Sequence, residues 1–335
     1  MRSNVLQRIT VFFLLAALCV SMAACGTEAS PTVPTATEPT VPESTIPETT
    51  APESIPYTPA LYRITDNSGN QVYLFGSIHV GLPEMYPFPD YVLDAFNSSE
   101  ALVLECVDAT LEDRVAYDNA IRLEEGTTIR DYLPEDVYTT AVQILKDGHA
   151  YKPALEKVKP MMWVMALETL MRQQGDQSPA IGVDVTLQEM AKQAGKPIES
   201  AENLLVHNGA LIDLSMEAQC ALLTMGVRSY GSAQAGLSMV DTCRVWMGGD
   251  LEQMRQLWTD EAPADLTGQE LQYYQEYEDA MIHRRDAQMT RYILEALTSG
   301  RTVFVCVGAA HVVLEGGILD RLTQAGCTVE RVMPE

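Results

Sequence analysis

The sequence predicts an α/β (α+β) domain whose central mixed sheet is built from N- and C-terminal strands, with a large helical middle section. Runs rich in apolar and β-branched residues stand at 62–76, 101–108 and 302–308. The stretch between 110 and 300 carries mostly helical periodicity. Strands at both ends and helices between them indicate a layered fold with a sheet assembled from distant segments.

The strands are predicted in chain order. Residues 62–76 are typical of a β-hairpin, because Asn67–Asn70 place turn residues between two β-rich runs. The apolar run ALVLECVD at 101–108 is typical of a short buried strand. At the C-terminus, 302–308 predicts a third strand of this kind and 326–333 a strand that follows a helix.

The helices of the middle section are recognised by their ends. Pro134, followed by two acidic residues, is typical of a first helical turn. Gly175 and Gly195 are typical of helix C-termini, and each ends a strongly periodic segment. The predicted helices begin near 135, 159, 184, 215 and 269, the last of them running to Ser299.

Residues 1–24 have the composition of a bacterial lipoprotein signal peptide. Arg2 and Arg8 give a positive start, and Val11–Val20 give a short apolar core. Small residues then lead into Cys25, which is predicted to carry lipid. The alternative is an ordinary secretory signal with a chance cysteine. The apolar core is too short to be typical of a permanent transmembrane helix.

The next segment, 25–58, is predicted to be a disordered stalk. It consists almost entirely of Pro, Thr, Glu, Ser and Ala, which offer too little apolar surface to offset the entropy of folding. Its prolines favour extended conformations. The folded domain is therefore expected at 59–335, held by lipid at the cell membrane and facing the extracytoplasmic side of a bacterium. A chain that begins near Pro59 is expected to unfold like the mature protein.

Charge and cysteine content exclude some classes of function. A formal net charge of −24 argues against nucleic-acid binding, because phosphates would be repelled. Seven cysteines without a C-x-x-C pair do not form a disulfide framework. Cys106 and Cys306 lie in apolar runs and are expected to be buried thiols, whereas a bridge between Cys220 and Cys243 stays open.

Two of the five histidines occur in matching G-x-x-H segments. His79 and His311 each follow a predicted strand, with Gly76 and Gly308 expected to let the chain turn there. Glu105 ends a third apolar run. Ligand sites lie beyond the carboxyl ends of strands in open α/β sheets, so two imidazoles and a carboxylate would meet there as a metal site. The alternatives are two turn histidines without a ligand role, or a glutamate that acts as general base instead.

Structural or solvated positions are assigned to the other three histidines, His149, His207 and His283. The chain also lacks HExxH, which argues against a standard zincin. It lacks GxSxG, which argues against a serine hydrolase of the α/β type.

Taken together, several motifs resemble those of the TraB/PrgY/GumN family, which is related to the Tiki metalloproteases and the erythromycin-esterase/ChaN-like group. The resemblance extends from about Pro59 to Val332. Its motifs are YLFGSIHVG with His79, LVLECVD with Glu105, GVDVTLQEM with Asp184, AENLL with Glu202, RRDAQM with Arg285 and VFVCVGAAHVV with His311. The AENLL motif has Ala201 where leucine is usual, and the RRDAQM motif has Asp286 where the family has asparagine.

The resemblance implies a metal-dependent hydrolase of the peptidase type, with a peptide substrate. It assigns His79, His311 and Glu105 to a divalent metal ion, with Mn, Co and Zn all open. It gives catalytic roles to Glu105 and Arg285, the latter binding or stabilising an anionic group. Asp184 and Glu202 are supporting residues. The alternative for Asp184 is a helix N-cap without a role in the site. The alternative function is a lipoprotein that binds metal, haem or peptide without turnover.

Overall fold

A computed structural model describes residues 57–107, 110–174, 180–230, 239–258 and 266–334. The predicted signal peptide, Cys25 and all but the last two residues of the predicted stalk lie outside these ranges, as does Gly175. Within the described ranges, no helix combines the length and the apolar character that a membrane crossing requires.

Six strands form one mixed sheet, and two very short strands pair separately. The large sheet has the order β6-β4-β7-β2-β1-β8, and β3 pairs with β5. The strands are β1 (Leu61–Thr65), β2 (Gln71–Ser77), β3 (Val80–Gly81), β4 (Leu102–Leu104), β5 (Ala180–Ile181), β6 (Ile198–Ser200), β7 (Phe304–Gly308) and β8 (Thr328–Val332). Neighbours among β6, β4, β7 and β2 run parallel, whereas β1 is antiparallel to both β2 and β8.

The hairpin of β1 and β2 is closed by the carboxylate of Asp66. Its Oδ1 accepts hydrogen bonds from the backbone N–H groups of Ser68 at 2.8 Å and Asn70 at 2.9 Å. Gly69 has φ of 84°, a conformation that favours glycine. Local side-chain bonding of this kind fixes the turn and hence the register of the two strands.

Thirteen α-helices surround or extend from the sheet in the described residues. They are α1 (Asp90–Ser98), α2 (Leu111–Ala120), α3 (Glu135–Asp147), α4 (Pro160–Gln174), α5 (Val183–Ala194), α6 (Leu204–Ile212), α7 (Met216–Ser229), α8 (Met239–Gly248), α9 (Leu251–Trp258), α10 (Gln269–Glu278), α11 (Arg284–Thr298), α12 (Ala309–Val313) and α13 (Ile318–Gln324). A π-helical segment, Asp279–His283, joins α10 to α11.

The described residues contain two hydrophobic cores. The first covers the sheet and includes Phe75, Phe304 and Trp246, whose indole N–H donates to the carbonyl of Gly76 at 2.7 Å. The second lies among the middle helices and includes Trp163 and Leu222. The helical middle section therefore has a core of its own beside the core that supports the sheet.

The predicted fold class is confirmed: strands from both ends of the domain share one mixed sheet, with helices between them. The strand predicted at 101–108 is shorter, spanning Leu102–Leu104. The helix predicted from Gln269 to Ser299 is interrupted by the π-helical segment. All five cysteines in the described residues are free, so Cys220 and Cys243 form no bridge, and Cys106 is only half-buried.

Candidate metal centre

Four parallel strands deliver polar side chains to one edge of the sheet. His79 comes two residues after β2, and Glu105 comes directly after β4. Glu202 follows β6, and His311 lies in α12 directly after β7. Because the four strands are parallel, their carboxyl ends share one edge, where ligand sites form in α/β sheets.

Of the two glycines in the G-x-x-H segments, Gly76 acts differently from the sequence prediction. Gly76 lies inside β2 and makes no turn. A Cβ atom at Gly76 would stand 2.9 Å from Cα of Ala309, so glycine lets α12 approach the strand closely. Gly308 ends β7 and caps α12 with φ of −51°. The missing side chain at Gly76 therefore lets the helix that carries His311 pack against the strand that leads to His79.

Each predicted ligand histidine is held by a carboxylate through Nδ1. His311 Nδ1 lies 2.7 Å from Oδ1 of Asp286, and both side chains are fully buried. His79 Nδ1 lies 3.0 Å from Oδ2 of Asp184. A carboxylate at Nδ1 fixes the ring with its proton on that nitrogen and directs the Nε2 lone pair elsewhere. Among the described residues, the buried Nε2 of His311 has no hydrogen-bond partner.

Arg285 lies at the centre of a second group of buried side chains. Its Nη2 donates to Oε2 of Glu105 at 2.7 Å and to Oε2 of Glu202 at 2.9 Å. Nδ1 of His207 lies 2.9 Å from the same nitrogen and 3.1 Å from Oε2 of Glu202. The other oxygen of Glu105, Oε1, accepts from the backbone N–H of Gly308. Both oxygens of Glu105 are thus fixed by donors from two different elements.

Charge rather than burial decides the ionisation of this group. Burial by itself would raise the pKa of Glu105, but the neighbouring Arg285 guanidinium, the strongest of the opposing influences, holds the pKa well below its usual range. Burial opposes the charge of Arg285 as well, yet the two carboxylates raise the pKa of its guanidinium. The site therefore consists of charged carboxylates around one permanent cation.

The carboxylates outnumber the cation. The carboxyl groups of Glu105, Glu202, Asp184 and Asp286 number four, whereas Arg285 is the one permanent cation that contacts them or their neighbours among the described residues. One oxygen each of Asp184 and Asp286 is buried and has no hydrogen-bond partner among the described residues. Excess buried negative charge is costly unless a cation compensates it. The donor set therefore suits a divalent metal ion.

All six site residues named from the sequence have positions in the described residues. His79, His311, Glu105, Asp184, Glu202 and Arg285 all occur at this edge or contact a residue there. Their roles in metal binding or catalysis stay predictions.

The assignment of His207 to a structural or solvated position missed its place in the site. It is buried beside Glu202, and Glu105, Glu202 and His207 offer ligand atoms within 4.8 Å of one another. Arg285 Nη2 already contacts all three of those residues. A divalent ion placed among them would meet the guanidinium charge directly.

Asp286, which departs from the family motif, takes part in the site as the hydrogen-bond partner of His311. The only sequence signal for it was its position next to Arg285. For His207, the signal was its position five residues after Glu202.

The comparisons with known proteins place most of the chain in one family. The sequence profile of the TraB/PrgY/gumN family matches residues 60–331. The uncharacterized protein YbaP of Escherichia coli K12 is 27% identical over 275 residues, which cover 79% of this chain and 93% of YbaP. The YbaP protein of Shigella flexneri matches with the same identity and coverage. No solved structure matches the chain with comparable significance.

Proposed function

The chain belongs to the TraB/PrgY/gumN family, and on that basis we propose that it is a metal-dependent hydrolase that cleaves peptides. The proposal assigns a divalent ion to His79, His311 and Glu105. It also places the enzyme outside the cytoplasm, held to the membrane by lipid on Cys25.

One observation carries the metal assignment: the Nε2 atom of His311 is buried, and no atom in the part of the chain that the structure describes forms a hydrogen bond with it. A buried polar atom of this kind is costly unless something binds it. Asp286 holds the opposite nitrogen at 2.7 Å, so the lone pair on Nε2 is available for a metal. His79 repeats the pairing with Asp184 at 3.0 Å.

We assign the ion to His79, His311 and Glu105 rather than to the group around His207, although it is Glu105, Glu202 and His207 that bring ligand atoms within 4.8 Å of one another in the described residues. Glu105 is common to both assignments and is itself a partner of Arg285, but in the second group Arg285 contacts the other two residues, Glu202 and His207, as well. Two cations at such short range repel each other strongly in a buried site. Imidazole and carboxylate ligands fit Zn, Co and Mn alike. A bound ion would polarise the scissile carbonyl and make a coordinated water more acidic.

Arg285 acts through Glu105 in this proposal and is therefore a positioning residue. It is 2% exposed, and the anionic groups it contacts are the carboxylates of Glu105 and Glu202. Its hydrogen bond, with that of Gly308 N–H, holds the Glu105 carboxylate in one orientation. A fixed carboxylate needs no reorganisation when it binds an ion or orients the reacting water.

A metal-binding protein without turnover is the second candidate, and the same contacts favour it. Both oxygens of Glu105 already accept hydrogen bonds. A carboxylate engaged in this way has reduced capacity to take a proton as a general base. Metal content and hydrolysis therefore have to be measured separately.

The metal assignment is tested by counting bound ions. The full chain should contain about one divalent ion per molecule, measured by plasma mass spectrometry after loading with Mn, Co or Zn. His79→Ala and His311→Ala should each remove it, while His283→Ala, a change at an exposed histidine beside α11, should retain it. Equal metal content in all four proteins would refute the assignment.

The hydrolase assignment is tested with the loaded protein and a diverse peptide mixture. New peptide termini should appear with metal and disappear after chelation. Glu105→Gln should stop cleavage, with folding checked by circular dichroism. A chain that binds its ion fully but releases no products from any peptide would instead be a binding protein.

The lipid anchor is tested at Cys25. We expect Cys25→Ser to release the protein into the medium or to leave it unprocessed, since the predicted acceptor of the lipid is lost. A variant that stays processed and membrane-bound like the unmodified chain would contradict the proposal.

A further inference from the structure

Most of the large apolar side chains that face solvent belong to segments that carry or adjoin residues of the candidate metal centre. Among the described residues, the exposed large hydrophobic side chains are Leu111, Val115, Ile181, Val206 and Met333. The first four belong to segments that carry or adjoin site residues, whereas Met333 follows β8, an outermost strand that β1 separates from β2. Single exposed hydrophobic residues are ordinary, but four of five in segments joined to one site call for an explanation.

Ile181 lies beside the segment that carries His79. In the β3–β5 pair, Ile181 is opposite Val80, the residue after His79. The next residue, Gly182, packs so closely on His79 that a Cβ there would stand 2.7 Å from its backbone. Ile181 itself is 56% exposed. An apolar side chain therefore projects toward solvent directly beside a proposed metal ligand.

Leu111 and Val115 lie on one face of α2, four residues apart, and are 79% and 52% exposed. The helix begins six residues after Glu105 and buries none of its own residues. It packs against α6, which carries His207 and the 40% exposed Val206. Three apolar side chains thus lie on two neighbouring helices, and each helix is connected to the site.

We propose that these four side chains, the apolar rim (Leu111, Val115, Ile181 and Val206), bind apolar side chains of a peptide on either side of the bond to be cleaved. The inference rests on the proposed hydrolase function and specifies its substrate class. An extended peptide can place a carbonyl at the polar centre and alternate side chains against the rim. The rim's separate positions around a charged site suit this occupant better than a flat lipid surface, and the net charge of −24 disfavours anionic lipid.

The test compares two fluorescent peptides of equal length and charge, one containing Leu and Phe and the other Ser and Gly in their place. The full chain, freed of metal by a chelator, should bind the apolar peptide at least about tenfold more tightly in an anisotropy titration. The double variant Leu111→Ser with Val206→Ser should lose most of that preference. Met333→Ser, an equally polar change at the fifth exposed site, should keep it.

Binding and cleavage outcomes separate the two proposals. The inference would be overturned if the full chain bound both peptides equally. It would also be overturned if Met333→Ser lost as much of the preference for the apolar peptide as the double variant does. Preferential binding without cleavage by the metal-loaded chain would leave the rim as a peptide-binding surface and refute the hydrolase instead. If the double variant loses binding to phosphatidylcholine vesicles but keeps its peptide preference, the rim is a lipid contact and the inference is wrong.

Discussion

Carboxylates at the Nδ1 atoms of His79 and His311 distinguish these residues from ordinary buried histidines. Asp286 is the more informative partner, because asparagine is expected there from the resemblance to the family. An aspartate and an asparagine can both accept a hydrogen bond from Nδ1–H, but only the aspartate adds negative charge. At 2.7 Å from the ring, that charge makes the Nε2 lone pair a stronger donor.

Asp286→Asn should therefore weaken metal binding while leaving the fold in place. We expect the dissociation constant of the ion to rise about 10- to 100-fold, since the hydrogen bond remains and the charge is lost. Competition with a metal-sensitive dye measures the change. His283→Ala serves as the control for substitution near the same helix and should have no effect. Unchanged affinity in Asp286→Asn would mean that His311 does not bind the ion.

Single residues show where inference from sequence reaches its limit. His79, Glu105 and His311 were identifiable because each follows an apolar strand, a local pattern. His207 was not, because its place depends on how α6 packs, and LLVHNGALI is apolar on nearly every side. The orientation of a side chain on such a helix is fixed by tertiary packing, which no local pattern records.

The edge strand β6 depends on contacts from outside the sheet. Glu199 in β6 accepts from Arg301 Nη2 at 2.6 Å and from the hydroxyl of Tyr292 at 2.5 Å. These bonds connect β6 to α11 and to the segment that enters β7. A three-residue strand has few ladder bonds of its own, so this contact holds the strand from which Glu202 follows.

Glu199→Gln should destabilise the protein more at neutral than at acid pH. Hydrogen bonding from Arg301, with a smaller contribution from Tyr292, lowers the pKa of Glu199 against the effect of burial. The stabilisation is therefore complete above about pH 4.3, the usual glutamate pKa, and is lost as pH falls through the lower pKa of the folded state. Because the side chains of Glu199 and Arg301 are both about one-third exposed, we expect the substitution to lower the free energy of unfolding by less than about 1 kcal/mol.

Urea unfolding of both proteins at pH 7 and near pH 3 measures the difference. Glu330→Gln removes the partner of Arg63 in a more exposed pair and should have a smaller effect. A Glu199→Gln effect that grows on acidification would contradict this account.

Several of the elements that sequence patterns did not predict are short or irregular. β3 and β5 have two residues each, too few for an alternating pattern. The π-helical segment lies within a helical sequence pattern that is continuous from Gln269 to Ser299. The pattern does not reveal it, because one altered turn leaves the hydrophobic spacing almost unchanged. The hairpin was predictable from its cluster of turn residues, and β7 was predictable from its run of β-branched residues.

For the whole molecule, the boundary between stalk and domain has structural consequences. Tyr57 and Thr58, which sequence composition assigns to the stalk, hydrogen-bond to the domain. The Tyr57 hydroxyl donates to Met85 O, and Thr58 N donates to Met247 O at 2.8 Å. Arg331 Nη2 donates to Thr58 O at 2.9 Å. The chain is therefore attached to both ends of the domain before β1 begins.

A chain that begins at Tyr57 should be more stable than one that begins at Pro59. The shorter chain loses four hydrogen bonds made by Tyr57 and Thr58, worth about 2–4 kcal/mol in total. Thermal unfolding of the two chains measures the difference, and a chain beginning at Ser54 controls for the position of the new terminus. Equal midpoints for all three would show that these bonds contribute nothing, as the composition of the stalk predicts.

Because β2 pairs with β7, the site cannot form until the chain has been synthesised as far as β7. Phe75 lies opposite Cys306 in this ladder, although more than two hundred residues separate them along the chain. Long-range pairing of this kind forms late, because a large loop must close before any contact offsets its entropy. A ribosome must synthesise almost the whole polypeptide before His79 and His311 can share a sheet edge. Truncated chains and stalled translation products therefore cannot assemble the centre, and any activity appears only once synthesis and folding are complete.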